Sequence, residues 1–173
     1  MCGTLTVFHQ HQPKGYPMDT VAIAIEIEKQ IHSLLSTGDE PTPFVMEGAR
    51  LYGVDWTAEG TPKLMFIEQH GDVYDLLDND HNALVASAYA WTLVVTTGWA
   101  APLNKNGDVD TAPSQHAQRR RVRLSCIANR QSVASVLRFA DEPDDVITDE
   151  GSASGSLADA IQQFVMTGAS KSN

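Results

Sequence analysis

Between positions 119 and 128 two kinds of side chain alternate. Val122, Leu124, Cys126 and Ala128 fall on every second residue, and Arg119, Arg121 and Arg123 fill positions between them. Side chains of a strand point alternately to opposite faces, so this segment reads as a strand with one apolar and one arginine face. Residues 132–139 read as its return strand, across a turn at Asn129-Arg130-Gln131. A link this short forces antiparallel pairing. If the turn is the two residues Asn129-Arg130, Arg121 falls opposite Arg138. Like charges directly opposite are destabilising, so that register calls for an anion or an acidic neighbour.

The remaining pattern fits around this hairpin. Asp19 reads as a helix N-cap, Ile23, Ile27, Ile31 and Leu34/Leu35 recur at helical spacing, and Gly38 is a stop. A helix is therefore expected over 19–36. Residues 44–52 read as a strand, with Gly48 marking a bulge, and 64–68 as a second, short strand. Residues 72–88 are helical in part, interrupted at Asp78-Asn79-Asp80. The β-rich run 91–97 is nearly continuously apolar, as in a central strand. Residues 102–118 form a polar loop. Leu157, Ile161, Phe164 and Val165 share one face of a last helix. The order predicts an α+β fold: a mixed or mainly antiparallel sheet of about five strands, with an N-terminal and a C-terminal helix packed on one of its faces. Residues 1–18 read as an irregular segment, 19–167 as a single domain and 168–173 as a frayed tail.

Composition narrows the classes of function. A chain of 173 residues is long enough for a core without disulfide staples. Its two cysteines, Cys2 and Cys126, form no disulfide framework and no zinc pattern. With no visible signal peptide, they read as free thiols in a reducing cytoplasm. The net charge of −10 repels polyanions, which argues against general nucleic-acid or anionic-membrane binding. The uncharged stretch 83–103 is long enough to span a bilayer, but it holds Ser87, Thr92, Thr96, Thr97, Gly98 and Pro102 and has no basic flank. It reads as a buried helix and strand.

Six of the seven arginines lie within twenty residues: Arg119, Arg120, Arg121, Arg123, Arg130 and Arg138. Guanidinium groups match phosphate and carboxylate bidentately. Arg119, Arg121, Arg123 and Arg138 are therefore candidates for binding a small anion or an acidic protein surface. Six acids at 141–150 offer an internal counter-charge. His70, His81 and His116 lie near Asp72, Asp75, Asp78 and Asp80, ligand types that suit a divalent metal, but their spacing matches no compact motif. His9 and His11 would share one strand face. The run Asn104 to Asp110 departs from a calcium loop, because glycine comes at its fourth position. Gly151-Ser152-Ala153-Ser154-Gly155 lacks serine at the centre of a nucleophile elbow. No glycine-rich phosphate loop is present, and no cofactor is implied. Cys126 sits on the apolar face, as a structural thiol. The tryptophans and tyrosines read chiefly as core, with Trp91 and Trp99 on one side of their strand.

These features favour a small, acidic, non-catalytic binding or accessory protein that self-associates as a homodimer through complementary charged surfaces. Two alternatives stand beside it. One is a small-anion sensor using the Arg119–Arg123 stripe. The other is a small metal-assisted hydrolase using His70, His81 and His116.

Overall fold

A computed structural model describes residues 19–39, 41–102, 104–107, 111–148 and 156–172. The reading of 1–18, with His9 and His11, lies outside these residues. The fold is α+β. Helix α1 (Thr20–Ser36) precedes the strands β1 (Ala49–Trp56) and β2 (Pro62–His70). Two short helices, α2 (Val73–Leu77) and α3 (Asp80–Ala86), lead to β3 (Trp91–Ala100). Then come β4 (Arg120–Ala128), β5 (Val133–Phe139), β6 (Val146–Thr148) and α4 (Ser156–Lys171). All six strands pair antiparallel in the order β2-β1-β3-β4-β5-β6.

Local chemistry explains most boundaries. The Asp19 carboxylate accepts from the Ala22 amide at 2.7 Å and caps α1. Gly38, at φ 104°, turns the chain away after the helix. Asn79 separates α2 from α3, because its side-chain oxygen accepts from the His81 and Asn82 amides and starts a new helix. Gly53 lies in β1 where the Tyr89 ring packs on the strand, and a Cβ there would overlap that ring.

Several expectations need correction. Among the described residues the sheet has six strands, not five. The sixth is Val146-Ile147-Thr148, a β-branched triplet hidden in an acidic run, which pairs with β5. The first strand begins at Ala49 rather than at 44, and its irregularity falls at Leu51/Tyr52 rather than at Gly48. Gly48, at φ 69°, instead forms the tight entry to the strand against the His70 carbonyl. The last helix runs past 167 to Lys171, because Gly168 lets it pack closely on Ala83 of α3.

Helices cover both faces of the sheet, not one. Under α1 lie Tyr52, Val54, Trp91, Leu93, Val95, Ile127, Ala134 and Val136. Under α2, α3 and α4 lie Ala49, Leu51, Val94, Cys126 and Ala128, packed with Leu76, Ile161 and Phe164. The continuous apolar run of β3 has this cause: Leu93 and Val95 face one helical layer, Val94 the other. Ile27 and Ile31 of α1 are fully buried, each contributing about 1.5–3 kcal/mol of transfer free energy. No helix among the described residues is long and apolar enough to cross a membrane.

Candidate functional site

The strand carrying the arginines alternates as its sequence implies, but its arginine face lies under α1. The connection between β4 and β5 is the four residues 129–132, since Ala128 pairs with Val133. Arg123, not Arg121, therefore stands directly opposite Arg138. Two guanidinium groups held side by side demand a counter-charge, and α1 provides it. The Glu28 carboxylate bridges both, through Arg123 Nη2 on one oxygen and Arg138 Nη2 on the other. Arg138 Nε adds bonds of 2.9 and 3.1 Å to the same carboxylate. Arg123 is 0% exposed and Glu28 1%.

Around this triad the backbone takes up most of the remaining donors. Arg123 Nη1 donates to the Pro43 carbonyl at 2.8 Å, and Arg138 Nη1 to the Pro143 carbonyl. Arg121 Nε donates to the Phe44 carbonyl at 2.9 Å. The segment 41–47 thus crosses the sheet on a row of guanidinium donors. It is held also by Thr97, whose hydroxyl bonds both the Met46 carbonyl and the Met46 amide. His32 closes the cluster, with Nδ1 accepting from Arg123 Nη2 at 2.9 Å. Two buried atoms here, Arg123 Nε and Ser125 Oγ, lack a hydrogen-bond partner among the described residues.

Electrostatics follow from this geometry. Burial pushes the Glu28 carboxyl up, but hydrogen bonds from Arg138 and Arg123 outweigh it and hold the group below its ordinary value. Burial pushes the His32 imidazole down, and the charges of Arg123 and Arg138 push it further. A neutral imidazole is also what an accepting Nδ1 requires.

The outer arginines are engaged differently. Arg119 and Arg121 both lie against the Trp99 ring, at 4.9 and 5.1 Å from its centre. Arg119 also donates to the Ser114 carbonyl at 2.9 Å. Arg120 points to the other face, pairs with Asp141 and Glu142, and stacks on Phe139. The structure thus brings Arg121, Arg123 and Arg138 together beneath α1 and the 41–47 segment.

The three histidines are not gathered. His70, at the end of β2, accepts the Asp72 amide and faces Asp75 at 3.5 Å. His81 lies in the first turn of α3. His116 follows the 3-10 turn Pro113–Gln115 and accepts the Gln118 amide. Among the described residues, no three His, Cys, Asp or Glu side chains are placed to hold a metal ion. Cys126 is a buried free thiol.

No protein-family model matches the chain, and no curated protein or solved structure matches it either.

One surface remains outside these clusters. Among the described residues, strand β2 is a sheet edge, pairing with β1 on one side only. It is nine residues long and exposes Phe66 at 59% and Met65 at 39%. Leu64 and Phe66 share the α1 face, where Phe66 meets Tyr52 edge-on at 5.7 Å. Sequence reasoning marked a strand here without seeing it as an edge. It also missed Glu28 and His32. The signal for Glu28 was an acid on the helix stripe formed by Ala24, Ile27, Ile31 and Leu35.

Proposed function

We propose that the protein is a non-catalytic binding or accessory protein of the cytoplasm that self-associates through the open edge of β2. The carrying observation is the nine-residue edge strand with Met65 and Phe66 exposed on its two faces. Edges of this length and polarity are templates for strand addition. The charged segments favour this site over a charge-to-charge contact, because Arg120 is already engaged by Asp141 and Glu142, and Arg123 and Arg138 by Glu28.

A second copy is the partner that fits. Two-fold symmetry makes an interface self-complementary. Antiparallel pairing centred on Met65 sets Met65 against its own copy and Leu64 against Phe66 of the second copy. It also sets Lys63 opposite Ile67 and Pro62 opposite Glu68 of the second copy. Both copies are acidic, so salt strengthens this contact by screening their net repulsion.

Sedimentation velocity over a wide concentration range tests this reading. A monomer–dimer equilibrium is expected, tighter at high salt, and abolished by Phe66→Lys or Met65→Lys without loss of thermal stability. A monomer at every concentration overturns self-association. A dimer indifferent to both substitutions overturns the assignment to β2.

A further inference from the structure

The loop joining β4 and β5 borders a cavity of about 220 Å³ at the opposite end of the hairpin from the Glu28 cluster. Ala83 and Ala86 of α3 and Val165 of α4 are among its apolar lining residues. Tyr89, Thr92 and Arg130 are among its polar lining residues, with Ser87, Asn129 and Gln131. The loop is fixed: Asn129 Oδ1 accepts the Gln131 and Ser132 amides, both at 2.9 Å. Gln162 of α4 donates to the Asn129 carbonyl at 2.9 Å. Arg130 is thus presented from a pinned turn.

Arg130 differs from the other six arginines. Arg50, Arg119, Arg120, Arg121, Arg123 and Arg138 each donate to a protein oxygen. Arg130 has no hydrogen-bond, ionic or ring partner among the described residues. The side-chain hydroxyls of Tyr89 and Thr92, in the same lining, likewise have none among them. A cation, two hydroxyl-bearing side chains and several apolar side chains therefore line one space.

We propose that this cavity binds a small organic carboxylate, its head on Arg130 and its short apolar body against Ala83, Ala86 and Val165. One guanidinium matches the two oxygens of one carboxylate. A multiply charged phosphate gains less from a lone arginine in a chain of net charge −10. The volume lies below the ~300–1,000 Å³ of sites for drug-sized ligands, so the body is no larger than a single ring. This site is separate from β2 and does not depend on self-association.

The test is an amide-resolved NMR titration of the full chain with benzoate, acetate and inorganic phosphate. Saturable shifts are expected with benzoate at Tyr89, Thr92 and residues 129–131, and acetate and phosphate bind more weakly. Arg130→Gln weakens benzoate about tenfold or more. Ser87→Leu, which enlarges a side chain of the cavity lining and leaves Arg130 in place, weakens it likewise; Arg130→Gln lies on an exposed turn and keeps the fold. Benzoate shifts that are absent, or that lie elsewhere, overturn the proposal. So does acetate or phosphate binding as tightly as benzoate, or benzoate affinity unchanged in either variant, since each reduces the site to a solvated guanidinium.

Discussion

Glu28 carries two buried guanidinium groups. Bringing three charges out of water is costly, and the geometry offsets that cost only while the set is complete. Removing one member leaves an uncompensated charge, so Glu28→Gln is expected to lower unfolding free energy by about 3–5 kcal/mol. Replacing all three by apolar residues of similar volume, Glu28→Leu with Arg123→Met and Arg138→Met, is expected to cost less than that single change. Urea denaturation of the two proteins checks the order. The reverse order would show that the triad stabilises by attraction beyond its own desolvation.

The chain between α1 and β1 has few apolar anchors of its own, and its course is set by donors from other elements. Pro43 and Phe44 give their carbonyls to Arg123 and Arg121, and Met46 bonds the Thr97 hydroxyl. The segment ends at Gly48, whose φ of 69° directs β1 into the sheet. A side chain in that left-handed conformation costs roughly 1–2 kcal/mol, and a Cβ would also collide with the His70 carbonyl. Gly48→Ala is therefore expected to destabilise by at least about 1–2 kcal/mol. Thermal melts detect this, whereas Gly38→Ala, with open space around it, pays the conformational term alone.

Across the whole molecule, pH acts on the cluster that joins α1 to the sheet. His32 faces Arg123, Arg138, Glu28 and Asp144, and its folded value lies below the ordinary 6.5. The unfolded chain then binds the proton more readily, so stability is full above pH 6.5 and falls as pH drops toward the folded value. Glu28, depressed below its ordinary 4.5, adds a second loss that begins below pH 4.5. Melting temperature is thus expected to decline in two stages on acidification. His32→Asn keeps an acceptor for Arg123 and is expected to remove the first stage alone. A melting temperature flat from neutrality to pH 5, or a first stage unchanged in His32→Asn, counts against this account.

What the sequence by itself determined is what repeats along the chain. Period-two alternation at 119–128, helical spacing from Ile23 to Leu35 and from Leu157 to Val165, and the cap at Asp19 are local signals. They suffice for element type, for a mixed or mainly antiparallel sheet and for the α+β class. The β-branched triplet of β6 was too short to stand out from the acids around it. The arginine stripe was legible as a stripe, but its surroundings were not. Whether that face meets solvent, an anion or a helix depends on a residue ninety-five positions away, Glu28. The register of Arg123 against Arg138 depends on a loop of four residues rather than two, and the sequence admits either. Only tertiary structure decided these matters, because long-range pairing of charges and the identity of the edge strand arise from how elements stack, and no periodicity along the chain records that.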